Sequence, residues 1–130
     1  MSEQPERYHP PAAHACVPWE APIDLGLDRD RCEAHVLYVN VRFYRNLTVW
    51  FSLQQLIRDA SGERHTVCRI DCCDGEIHRH VFKEGQGEID RVTLVRIPVH
   101  GQTVVDGEYG RYYDDMTGNW EERVRRWRLS

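Results

Sequence analysis

Residues Arg69 to Phe82 read RIDCCDGEIHRHVF, and the Asp74-Gly75 pair at its centre decides what the flanking residues form. A two-residue type I′ turn needs positive φ at both central positions, which Asp-Gly tolerates, so two β-strands joined at this point are expected. The turn also sets the register: Cys73 opposite Glu76, Cys72 opposite Ile77, Asp71 opposite His78, Ile70 opposite Arg79, and Arg69 opposite His80. Opposed residues share a face, and faces alternate along each strand. One face of the hairpin therefore gathers Arg69, Asp71, His78, His80 and Phe82, and the other gathers Cys68, Ile70, Cys72, Ile77 and Val81.

Working upstream, Leu37, Val39, Val41 and Phe43 alternate with Tyr38, Asn40, Arg42 and Tyr44, the period-2 pattern of a half-buried strand. A second alternating run follows, with Leu47, Val49, Phe51 and Leu53 on one face and Thr48, Trp50, Ser52 and Gln54 on the other. The cluster DASGE at 59–63 is a turn, after which residues 64–73 form the strand that enters the Asp-Gly hairpin. Downstream, RVTLVRIPV at 91–99 is a β-branched segment that reads as another strand. From Val105 the spacing becomes helical, with Tyr109, Tyr112, Met116, Trp120, Val124 and Trp127 recurring at three or four residues. Thr103 with Asp106 resembles an N-terminal cap, and Gly118-Asn119 marks a place where the helix can divide. The expected fold is α+β: an antiparallel β-meander of about five strands packed against C-terminal helix.

Five of the six prolines fall within residues 1–34, together with seven acids against Arg7, Arg29 and Arg31. That segment is expected to be an extended Pro-rich acidic lead-in, with Trp19, Ile23, Leu25 and Leu27 available to dock, and residues 35–130 to form a single domain. The rest of the chain balances fourteen acids with fourteen bases, so the net charge of −4 belongs to the lead-in. There is no leader-like apolar run and no run of about 18 apolar residues, so a cytoplasmic protein without a membrane segment is expected. The cysteines number five, an odd count that points to free thiols rather than a disulfide framework.

The polar hairpin face carries the candidate chemistry. Asp71 beside His78 can accept its Nδ1–H and orient the ring, while His80 projects on the same side about 6.5–7 Å further along. With Arg69 near to stabilise phosphate, His78 and His80 suit base and acid roles in RNA cleavage without a cofactor. A second use of the same residues is metal binding, with two imidazoles and the Asp71 carboxylate as ligands. Asp71 paired with Arg69 or Arg79 on an ordinary exposed face explains them equally well. Cys68 and Cys72 point away from the histidines and read as small buried residues. His65, three positions from Cys68, is expected on the opposite face, where it joins the histidine row; His100 is expected in an exposed loop. Arg123, Arg125, Arg126 and Arg128 suit a helix C-terminus, with phosphate contact as the alternative.

The Arg-x-Asp, turn, His-x-His hairpin formed by Arg69, Asp71, His78 and His80, together with GNWEERVRRW at 118–127, resembles a group of small bacterial and phage proteins of unknown function. More distantly, the hairpin residues are similar to the TumE family of toxins from toxin–antitoxin pairs. The resemblance implies a small intracellular protein from a mobile or defence-related context, acting on RNA as an endoribonuclease-like toxin or related phosphodiesterase. The acidic Pro-rich segment suits a different class, an antitoxin-like or regulatory module that binds a cognate protein partner.

Overall fold

The computed structural model describes residues 6–129; residues 1–5 of the expected lead-in and Ser130 lie outside the described residues. Six strands run in chain order as one antiparallel sheet: β1 (Val17–Asp28), β2 (Glu33–Tyr44), β3 (Leu47–Arg58), β4 (Arg64–Cys73), β5 (Glu76–Lys83) and β6 (Gly87–Arg96). Two helices follow, α1 (Gln102–Gly118) and α2 (Trp120–Arg128), dividing at Gly118-Asn119 as the sequence suggests. Helix α1 packs on β3, and α2 on β4 and β5. Leu37, Val39 and Val41 of β2, Phe51, Leu53 and Ile57 of β3, and Ile70 and Ile77 of the hairpin form the core with Val105, Met116 and Trp127. None of the described helices is long and apolar enough to cross a membrane.

The sixth strand, β1, lies inside the segment expected to be an extended lead-in. Its prolines conceal it, because proline lacks the N–H that a ladder needs. On an edge strand an N–H missing from the outer side costs no bond. Pro18 and Pro22 lie an even number of residues apart, so both gaps fall on the same side, and only β2 flanks β1. Ile23 and Leu25 pack against the core, and a Cβ at Gly26 would approach the Trp120 ring to 3.0 Å. Further upstream, Tyr8 is buried and the 3-10 turn Ala13–Ala15 leads into β1.

Two of the sheet's register shifts set the geometry around the helices and the β3–β4 turn. Between β2 and β3 the register moves from Arg42–Trp50 to Phe43–Thr48, leaving Val49 as the extra residue. A bulge withdraws backbone groups from the ladder. Here the Thr48 N–H donates to Asp106 of α1 (2.9 Å), and the Tyr8 hydroxyl donates to the Val49 carbonyl (2.6 Å). Asp106 is thus a tie from helix to sheet rather than part of a cap with Thr103; α1 begins at Gln102 with Gly101 at its N-terminus and no side-chain cap. The second bulge lies in β4 at Val67, between the pairs Gln55–Cys68 and Leu56–Thr66.

The helix arginines are taken up by carboxylates. Arg123 pairs with Asp115, Arg125 and Arg126 with Glu122, and Arg128 with Glu33 and Glu84. Lys83 caps the end of α2 by donating to the carbonyls of Arg126 and Leu129 (2.9 and 2.8 Å), where the helix dipole favours a cation. These contacts account for the basic cluster without a phosphate. Trp127, Tyr109, Tyr112 and Tyr113 pack in or against the core.

Candidate functional site

The Asp-Gly turn forms as its composition dictates, with φ of 54° at Asp74 and 76° at Gly75. The β4–β5 register follows residue for residue: Arg69–His80, Ile70–Arg79, Asp71–His78, Cys72–Ile77 and Cys73–Glu76. Arg69, Asp71, His78 and His80 are brought together on the face away from the helices, the two rings 6.2 Å apart. Their pairing differs from the expected one. Asp71 Oδ1 accepts from His80 Nε2 (3.0 Å), its diagonal neighbour, instead of from His78, its direct opposite. Arg69 Nε donates to the other Asp71 oxygen at 3.0 Å, so the guanidinium is engaged within the hairpin.

His80 is held from both sides, because its Nδ1 meets Glu88 of β6. With both ring nitrogens engaged by carboxylates, His80 has no free nitrogen to offer a substrate. His78 is bound along its own strand, Nε2 to Glu76 Oε1 at 2.9 Å, and Glu76 in turn pairs with Arg96 at 3.4 Å. Both rings are buried, and His78 Nδ1 has no hydrogen-bond partner. The hairpin is therefore an ordered chain from Arg69 through Asp71 and His80 to Glu88, with His78 beside it. Its carboxylates approach His80 on different ring atoms and do not converge on a common point, as metal ligands must.

Convergence occurs at the opposite end of β4. Asp59, Glu63 and His65 each offer one ligand atom, and these atoms lie within 4.8 Å of one another, as no other group of three among the described residues does. The turn that joins β3 to β4 builds this arrangement. Asp59 Oδ1 accepts from the Ser61 N–H (2.9 Å), the Ser61 hydroxyl (2.6 Å) and the Glu63 N–H (3.0 Å), which fixes the carboxylate. Its second oxygen is left to face His65, whose Nε2 donates to it at 2.9 Å. Asp59 and His65 are half-buried and Glu63 is exposed.

The position of His65 corrects the expectation drawn from strand alternation. The extra residue at Val67 reverses parity: Cys68 pairs with Gln55 and His65 with Ile57, two residues apart on one face of β3. His65 thus leaves the histidine row and lies 6.1 Å from the Trp127 ring of α2, centroid to centroid. Asp59 and Glu63 were legible only as turn residues; the spacing Asp-x-x-x-Glu-x-His across a tight β-hairpin was the available signal. Cys68 and Cys72 are buried on the helix side, all five cysteines are free, and His100 is exposed, as expected.

The Asp59–His65 contact carries a pH signature. Hydrogen bonds from His65 and Ser61 hold the Asp59 carboxyl well below its ordinary value of 3.8, and the Asp59 carboxylate holds the His65 imidazole above 6.5. A lowered acid stabilises the fold above its unfolded value and loses that contribution as pH falls; a raised base contributes below its unfolded value and loses it as pH rises. Both conditions hold fully between 3.8 and 6.5. His65→Ala is therefore expected to lower the melting temperature most in that window, with the difference from wild type shrinking as pH rises through the raised His65 value. A pH-independent difference in thermal scans would contradict it. In a broader comparison, the chain matches no family model, no curated protein and no solved structure, so its chemistry is to be read from its own geometry.

Proposed function

We propose that this protein binds a divalent first-row metal ion at the β3–β4 turn, with Asp59 Oδ2, Glu63 and His65 Nε2 as ligands. The observation that carries this reading is the convergence of three ligand atoms within 4.8 Å. Two carboxylates and one imidazole suit Zn²⁺ and its neighbours, and three protein ligands leave coordination positions open to water or a small ligand. The Asp59 carboxylate is already oriented by three donors from the turn, the kind of outer support that metal ligands require. A metal must displace the proton shared by Asp59 and His65, so affinity rises with pH through the raised His65 value.

RNA cleavage by His78 and His80, with Asp71 and Arg69 in support, has less behind it. The Arg69 guanidinium and both His80 nitrogens are engaged, and His78 is buried against Glu76. The metal reading is tested by titrating the protein with Zn²⁺ and Co²⁺, following Trp127 emission and, for Co²⁺, visible absorption. One equivalent is expected to bind, and Asp59→Asn or His65→Ala to weaken it by about tenfold or more, while His80→Ala retains it. Trp127→Phe should remove the fluorescence change but leave the cobalt spectrum. Binding that ignores Asp59 and His65, or none at near-neutral pH, would overturn the proposal.

A further inference from the structure

We infer that a second site, at the other end of β4, takes a phosphoryl group: the cleft formed by Arg7, Arg91 and Arg96 above His78. The cleft has a volume of about 360 Å³, within the range of small-ligand sites. Its three guanidiniums come from two distant parts of the chain, Arg7 from the segment before β1 and Arg91 and Arg96 from β6. Gly75 lets the first of these in: a Cβ at that position would lie 3.1 Å from Arg7 Cβ and 3.2 Å from the Tyr8 nitrogen, so the N-terminal segment crosses directly over the hairpin turn.

The charges favour an anion. Three arginines face two lining acids, Asp74 and Glu76, and Glu76 is already shared between His78 and Arg96. Among the described residues, neither Arg7 nor Arg91 makes an ion pair. Unpaired guanidiniums gathered on one cleft repel each other, and a phosphoryl group with several acceptor oxygens relieves that repulsion through paired N–H···O contacts. His78 supports the assignment independently. Its side chain is 2% exposed, it lines the cleft, and with Nε2 given to Glu76 its Nδ1 has no partner. A buried polar atom without a partner is uncommon in a folded protein, and a hydrogen-bonding group of a ligand at the cleft, such as the P–OH of a phosphoryl monoanion, would provide one.

This site is separate from the proposed metal. The metal ligands lie at the start of β4 and the cleft at its end, about 30 Å apart at the rise of an extended strand. The test is a titration of the full chain, labelled with ¹⁵N, with inorganic phosphate and with adenosine monophosphate at constant ionic strength, following Arg side-chain and imidazole signals. Saturable shifts at Arg91 and His78 are expected. Arg91→Gln and Arg7→Gln should each weaken binding by about tenfold, since each removes charge-assisted hydrogen bonds. Arg125→Gln, on α2, should leave it unchanged. Equal affinity for the two probes would mean that the phosphoryl group itself is recognised, and tighter binding of the nucleotide would extend the site to its ester. Shifts that chloride reproduces, or binding indifferent to Arg7 and Arg91 together, would overturn the assignment.

Discussion

Phe51→Ala is expected to cost about 3–5 kcal/mol, the range for removing a fully buried aromatic ring. Phe51 is fully buried on β3, a strand flanked on both sides, and its ring lies 5.5 Å from that of Tyr109 on α1. Losing it opens a cavity between the sheet and α1. Against a typical total of roughly 5–15 kcal/mol, this is a large fraction of the stability. The neighbouring Trp50→Ala gives the contrast. Trp50 points to the opposite face, half-buried, with Arg42 stacked 4.4 Å from its ring centre. That stacking is worth about 0.5–1 kcal/mol, so the larger residue should be the cheaper loss. Urea denaturation measures both; comparable midpoint shifts would mean that the helix face of β3 is not the core.

Trp127→Ala is expected to have an effect of similar size, about 3–5 kcal/mol, but a different character. Trp127 is the buried residue of α2 and joins that helix to the core. The remaining ties of α2 are smaller: Val124 against the core, the Gln55 Nε2 donation to the Trp120 carbonyl (3.0 Å), the part-buried pairs Arg128–Glu33 and Arg123–Asp115, and the exposed arginine pairs with Glu122 and Glu84. Exposed pairs of this kind contribute little. The helix should therefore open locally before the sheet does, and amide exchange should speed up across residues 120–128 while β2 and β3 remain protected. Uniform loss of protection throughout the chain would show instead that α2 and the sheet unfold as one unit. Because Trp127 lies beside His65, the same variant should also alter the imidazole's environment at the β3–β4 turn.

The part of the fold set by strong local chemistry is visible in the amino-acid sequence. Asp74-Gly75 admits essentially one tight turn, and that turn carries the whole β4–β5 register with it. Alternation from Leu37 to Leu53 marks β2 and β3 because one face is buried and the other is not. Features that arise from pairing between strands are hidden. The bulges at Val49 and Val67 insert one residue without any compositional mark, and the second is enough to move His65 to the helix side. Proline at 18 and 22 argues against a strand unless that strand is known to be an edge, which only the assembled sheet reveals. The same limit applied at the site. Which residues share the hairpin face followed from the register, but Asp71 reaching diagonally to His80 depends on side-chain rotamers and on Glu88 arriving from β6. At the β3–β4 turn, Asp59 was plain as a turn residue, while its convergence with Glu63 and His65 required the turn to be closed in space.

The proposed metal centre is tested most directly by diffraction from crystals grown with Zn²⁺, with data collected on either side of the zinc absorption edge. One strong anomalous peak is expected at the β3–β4 turn, bounded by Asp59 Oδ2, Glu63 and His65 Nε2, as is its loss in crystals of the Asp59→Asn variant. A zinc peak between Asp71, His78 and His80, or no peak at the turn despite zinc in the crystal, would contradict it.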